Sequence, residues 1–412
     1  MSEYSQAKTL VNDKEKAVSF RALVSEIPST SYSTHGSYYY PARFIPQVVR
    51  YALNEYTSSD NWVMDPFAGS GTVGIESLLT NRNALLFDIN PLMKVLVEAK
   101  TTLNPDWISL YNKSQKLLTS KETFTPNWTH LGYWYPENIL DILSKMWHYY
   151  YLDPDPIILL TLLKTSKRFS YADDQVPKLF KSKRKIEVIE ALQKNNPSLI
   201  IHQFFMNTLK LTYERALNFS KHYKGGNIET VITNGTPDYN LYANDGRQFK
   251  LLITSPPYGQ AHEYIRSVKL ELAWLNYTDL EITNLGKLEI PYNKSPNFEI
   301  KSKTYDDYYR KTSEKTRKLY ETYFKSVLYH LSASSKLVTK NGHACIFVGN
   351  ATFSGLQIPF SQIFIEHLAT LGFEHISTLK DEIKSRKLFT GRNNLSPNGM
   401  SHEYLVILRK KI

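Results

Sequence analysis

A single cysteine, Cys345, stands among 412 residues. That excludes a disulfide within the chain and a cysteine-built metal cluster, and no metal site is expected. It suits a reducing, cytoplasmic setting. No run of about 18 apolar residues occurs, so a membrane-spanning helix is not expected. The opening stretch, MSEYSQAKTLVNDKEKA, has no apolar centre of the kind a secretory signal needs. Internal repeats and low-complexity tracts are also missing. Acidic residues are in deficit: 39 Asp and Glu face 50 Lys and Arg, for a net charge of +11. Such an excess favours a polyanionic partner, nucleic acid first. Charged residues make up 22% and hydrophobic residues 42%, enough for a sizeable core and against global disorder.

The patterns along the chain suggest three parts. Residues 1–34 read as a polar N-terminal arm. Residues 35–101 and 228–412 carry an α/β rhythm. NWVMDPF (61–67) reads as a short buried strand, AGSGT as a turn, VGIESLLTN as a helix, and ALLFDIN (84–90) as a second strand. Strand, helix, strand, helix at this spacing implies a parallel sheet covered on both faces. ETVITNG (229–235), KLLITSPPY (250–258) and GHACIFVGN (342–350) continue it. EHISTLKDEI and HEYLVILRKK close it as an antiparallel pair. A long amphipathic helix is expected over about 305–336. Residues 102–227 show helical periodicity without clear strands and read as a helical insertion lobe. The fold expected is doubly wound, with a mainly parallel, seven-stranded, Rossmann-like sheet.

Two short stretches carry the chemistry. DPFAGSGT places Gly69 and Gly71 between a strand and a helix, where glycine allows a sharp turn and close approach of a ligand. Asp88 ends the next strand, where a carboxylate can accept the hydroxyls of a ribose. Read as a two-glycine loop, the turn suits a nucleoside better than a pyrophosphate. LLITSPPY ends a buried strand on two prolines, which stop a strand and rigidify the backbone. Ligands of doubly wound sheets bind at the carboxyl ends of the strands, where strand order reverses. The two stretches should therefore face one another. Cys345 sits in a buried-strand pattern and reads as structural.

Together these motifs resemble the amino-methylating DNA methyltransferases. DPFAGSGT looks like their S-adenosylmethionine (SAM) loop, FDIN like their ribose-binding acid and TSPPY like their catalytic motif. HGSYYYPARFIPQ looks like the N-terminal motif that touches the methionine end of SAM. The resemblance implies a cofactor site of Phe44, Pro46, Asp65, Phe67, Ala68, Gly69, Ser70, Gly71, Thr72, Asp88 and Ile89. Asn234 stands where the family often has an acid for the adenine amine, and is carried over to that role. Gly235 and Thr236 read as bystanders. Ser255, Pro256, Pro257 and Tyr258 are the implied catalytic group. The Ser255 hydroxyl and the Pro256 carbonyl would accept the hydrogens of an exocyclic amine and draw its lone pair outward. Tyr258 would stack on a base flipped out of the duplex. His262 and Glu263 are expected to line the cleft or cap a helix.

A leading Ser in the four-residue motif mostly accompanies cytosine N4 in this family, and Asp or Asn mostly adenine N6, so cytosine N4 is favoured and adenine stays open. Methylation at carbon 5 would need a thiolate nucleophile, which Cys345 does not suit. An RNA or protein methyltransferase, or a DNA-binding subunit with an inactive pocket, are further alternatives. The setting implied is a restriction–modification system, with double-stranded DNA and a cognate endonuclease as partners. Within the insertion, Lys164–Lys185 holds eight Lys or Arg and two Asp. Arg168, Lys183 and Arg184 are the candidates for DNA phosphate contact. Lys294–Lys318 is a second basic stretch that competes for that part.

Overall fold

The computed structural model describes residues 14–411, apart from 177, 244, 260–262, 354 and 384–400. Among the described residues, the strands are β1 (Glu15–Ala17), β2 (Trp62–Asp65), β3 (Asn83–Asp88), β4 (Ile228–Ile232) and β5 (Phe249–Thr254). They continue as β6 (Val338–Gly349), the small hairpin β7 (Thr352–Phe353) and β8 (Leu356–Gln357), then β9 (Phe373–Glu382) and β10 (His402–Lys410). The main sheet runs β1-β9-β10-β6-β5-β2-β3-β4. Strands β6, β5, β2, β3 and β4 are parallel, and β10 is antiparallel to both β6 and β9. From β2 the chain steps outward to β3 and β4, then returns to β5 on the other side of β2. That reversal is the switch point at which doubly wound sheets bind ligands.

Strand periodicity divides the core into two layers. Successive side chains point to opposite faces. Val63, Ala84, Leu86, Leu251 and Ile253 pack on one face, against Val48, Val49, Ala52 and Leu53 of the Pro46–Tyr56 helix. Met64, Leu85, Phe87 and Leu252 pack on the other, against Phe324, Val327 and Leu328 of the Glu314–Ser335 helix. Both faces are buried, which is why these strands read as nearly continuous apolar runs.

Residues 107–222 form helices, with one isolated bridge between Ala172 and Lys181. The insertion shares a single apolar core with Tyr38, Tyr40, Leu92, Leu96 and the Ile265–Trp274 segment. Trp147 of the insertion stacks on Trp274 with centroids 5.3 Å apart and planes within 9°. The expected helix over 305–336 is two helices, Lys303–Lys311 and Glu314–Ser335, because Thr312 and Ser313 are extended.

The sheet has eight strands rather than seven. The extra strand, β1, comes from the arm expected to be merely polar, and pairs in parallel with β9. Phe20 follows it, fully buried, its ring 5.3 Å edge-on from Phe347 of β6. Val24 and Ile27 are buried as well. From Lys14 on, this segment is core and edge strand. Phe20→Ala should therefore destabilise the protein by about 3–5 kcal/mol. A urea melt checks it; a midpoint equal to wild type would return the segment to a dangling arm.

Candidate active site

The glycine loop leaves β2 and the proline corner leaves the adjacent β5. One buried contact joins their roots: the Thr254 hydroxyl donates to Asp65 Oδ1 at 2.6 Å. The Phe67 backbone N–H donates to the same oxygen at 3.0 Å. Asp65 is 2% exposed, and burial pushes its carboxyl up to about 7.

Asp88 organises the glycine loop. Its Oδ2 accepts the Gly69 N–H at 2.7 Å and its Oδ1 the Asn90 N–H at 2.8 Å. A carboxylate offers about four lone-pair positions, so acceptor capacity remains. Gly71 has φ of 77°, and a Cβ there would meet Val97 Cγ2 at 2.4 Å. The two-glycine reading is incomplete. Gly74 completes a G-x-G-x-x-G spacing, and a Cβ on it would lie 2.8 Å from Leu86 Cδ1. This third glycine serves the packing of helix on sheet, so the glycine count does not favour a nucleoside over a pyrophosphate. Lys100, fully buried, donates from Nζ to the Ser70 carbonyl at 2.8 Å; burial brings its ammonium down to about 7.

Both loops open onto one cavity of about 320 Å³. Phe44, Phe67, Ala68, Gly69, Ser70, Asp88, Ile89, Ser255 and Pro257 line it. Of the other residues singled out from the sequence, Pro46 starts a helix behind Phe44, and Asp65, Gly71 and Thr72 are buried beneath the loop. Asn234 is exposed and outside the cavity wall. The chain turns at Gly235, with φ of 118°, and it is Thr233, Gly235 and Thr236 that reach the wall. Gly235 and Thr236, read as bystanders, lie on the wall, and Asn234, carried over for the adenine amine, lies off it. Pro256 is not itself a wall residue; it is buried between Ser255 and Pro257, which are. Tyr258 faces away from it toward β10, its hydroxyl 3.4 Å from Glu403 Oε1. His262 lies outside the described residues; Glu263 forms ion pairs with Arg266 at 2.9 Å and Lys178 at 3.5 Å. Cys345 is fully buried in β6, and burial raises its thiol well above the ordinary range.

Several wall residues were not anticipated. Tyr40 lies against Asn90, whose amide donates to its hydroxyl at 3.4 Å. Glu289 accepts the Ile265 N–H at 2.8 Å, and burial pushes its carboxyl up to about 7. His330 is brought down to about 4 by burial, and so is neutral at pH 7. The HGSYYY segment is clamped to the helix after the glycine loop by Glu76, which is fully buried. Glu76 receives the Tyr32 hydroxyl, His35 Nε2 at 2.6 Å and Arg50 Nε at 2.7 Å. Burial lowers the pKa of His35, against the pull of the Glu76 carboxyl beside it. Nothing in the sequence spacing marks Glu76, whose partners lie 26 to 44 residues away.

The basic cluster is not an array of free cations. Arg168 pairs with Asp174 at 2.8 Å, and Arg184 with Asp174 at 2.5 Å and Asp173 at 3.4 Å. Lys185 is buried and donates to the Arg168 carbonyl at 2.8 Å. Lys183 is the exposed member, its side chain 94% accessible and 4.0 Å from Glu187. Lys294, of the competing stretch, lines the cavity instead. Among the described residues, no helix is long and apolar enough to cross a membrane.

A doubly wound sheet with a glycine loop, a following acid and a proline corner at its switch point defines a Rossmann-like fold. Residues 3–98 match the model of the N6/N4 methyltransferase family, described as DNA methylase. The Type II methyltransferase M.BsoBI of Geobacillus stearothermophilus is 24% identical over 323 residues, covering 70% of this chain and 61% of that protein. M.MvaI of Kocuria varians is 23% identical over 293 residues, covering 63% and 62%. M.MjaII of Methanocaldococcus jannaschii is 35% identical over 78 residues, covering 19% and 14%. By these matches the chain is similar to the amino-methylating DNA methyltransferases. The chain spans about three fifths of the length of the first two relatives.

Asp65 carries a pH signature. Its folded pKa lies above its unfolded value near 3.8, so it contributes stability that is complete below that value and is lost as pH rises through about 7. Asp65→Asn keeps an oxygen for Thr254 and Phe67 and does not titrate. The thermal midpoint of wild type relative to Asp65→Asn should fall between pH 5 and pH 8. A constant difference would mean that the carboxyl is ionised throughout.

Proposed function

We propose that this protein transfers a methyl group from SAM to an exocyclic amine of a base in double-stranded DNA, N4 of cytosine first. The observation that carries the reading is the single cavity whose wall includes Phe67–Ser70 and Asp88 on one side and Ser255 and Pro257 on the other. Residues of the cavity fit the cofactor. Asp88 has acceptor positions left for ribose hydroxyls, and Phe44, Phe67 and Ile89 offer apolar surface. With Asn234 outside the wall, the adenine amine falls to Thr233, Gly235, Thr236 and Pro237.

When bound, SAM supplies a methyl group already activated on a sulfonium. The chain's own part is to present the amine. The lone pair of an exocyclic amine is delocalised into the ring. The Ser255 hydroxyl and the Pro256 carbonyl accept its two hydrogens and turn the lone pair toward the methyl. The Pro257 carbonyl accepts the Tyr323 hydroxyl at 2.9 Å, which holds the backbone next to Pro256. Positioning accounts for much of the rate, and no covalent enzyme intermediate is needed. A base inside a duplex is out of reach, so it is turned out of the stack. Lys183 makes a phosphate contact directly. Arg168 and Arg184 do so by exchanging Asp173 and Asp174 for phosphate, an exchange of low cost because exposed pairs contribute little. By kinship with Type II enzymes, the setting is a bacterial or archaeal cytoplasm and a restriction–modification system with a partner endonuclease.

The test is to incubate the chain with duplex DNA and SAM, digest the DNA, and weigh the nucleosides. N4-methyldeoxycytidine is expected. N6-methyldeoxyadenosine would transfer the same mechanism to adenine, and unmodified DNA would end the reading. In calorimetry, Asp88→Ala should weaken SAM binding at least tenfold, about 1.4 kcal/mol. An unchanged Kd would remove the ribose role.

A further inference from the structure

The proline corner raises a question of mechanics: what holds it still? Prolines at 256 and 257 provide no N–H, so neither can donate to a stabilising turn. Support has to come from elsewhere in the fold. Tyr323, on the Glu314–Ser335 helix, is 1% exposed and donates its hydroxyl to the Pro257 carbonyl at 2.9 Å. Its ring cannot swing away. Phe324 lies edge-on at 5.1 Å between centroids and Phe360 is tilted against it at 5.1 Å. Phe360 and Phe353 also lie under Gly259, the residue after the corner, where a Cβ would meet them at 2.8 and 2.9 Å. The corner therefore rests on an aromatic platform, with the Tyr323 hydroxyl on the Pro257 carbonyl and Tyr264 hydrogen-bonded to the Tyr258 backbone.

We infer that Tyr323 is a positioning residue for methyl transfer, acting through the corner and touching neither substrate nor cofactor. The inference rests on the function proposed above. By engaging the Pro257 carbonyl, Tyr323 fixes the backbone just beyond Pro256 and keeps the Pro256 carbonyl available to the amine. A displacement of the acceptor by a fraction of an ångström misaligns the lone pair, and small misplacements carry large rate penalties. Tyr323 lies 66 residues from Pro257 in a helix whose pattern reads only as amphipathic.

Tyr323→Phe removes the hydroxyl and retains the ring, so the platform stays packed. In the full chain, with duplex DNA and SAM, kcat should fall at least tenfold. The Kd for SAM and the KM for DNA should stay within about twofold of wild type, and the thermal midpoint should hold. Such a split separates positioning from structural support, which would move the midpoint and spare kcat. An active wild type with kcat unchanged in Tyr323→Phe overturns the inference alone. A wild type that methylates no DNA overturns the functional reading and the inference together.

Discussion

The hydrogen bond from Thr254 to Asp65 is the contact on which the site depends. It lies where β5 and β2 release their loops, and both side chains are buried. Parallel strands bring their carboxyl ends to the same edge of the sheet, and the reversal of strand order opens a crevice there. That topology makes a shared cleft available. The Asp65 contact sets how the two loops meet within it, since the same oxygen also holds the first N–H of the glycine loop. The burial of an acid is the energetic cost of that arrangement, visible in its raised pKa.

Around this root, the cavity wall is held by polar groups that are themselves buried. Asp88 grips Gly69 and Asn90, Lys100 holds the Ser70 carbonyl, and Glu76 secures the segment that delivers Tyr40, Arg43 and Phe44. Buried polar groups are costly unless paired, and paired networks specify one geometry. The proposed chemistry needs that rigidity, because catalysis by positioning fails when the wall moves.

Much of this was legible in the residues. The inner strands announce themselves as apolar runs because both sheet faces are covered. The two chemical loops are visible because glycine and proline restrict the backbone in ways other residues do not. What stayed hidden depends on contacts distant in sequence. Strand β1 is three residues, Glu15, Lys16 and Ala17, held by backbone pairing that leaves no side-chain pattern. The three partners of Glu76 lie 26 to 44 residues away, so the helix pattern around it does not set it apart. Asn234 was placed by analogy to an acid at the end of β4, yet the turn at Gly235 carries it outward. Arg168 and Arg184 count as charge in the sequence, and only the fold reveals the aspartates that claim them.

The central claim is that donor and acceptor meet in this one cleft. A crystal structure of the chain with S-adenosylhomocysteine tests it most directly. The account predicts the ribose hydroxyls on Asp88 and the sulfur directed at the Ser255–Tyr258 corner. A ligand bound away from the Phe67–Ser70 loop, or one with its sulfur turned from that corner, would contradict it.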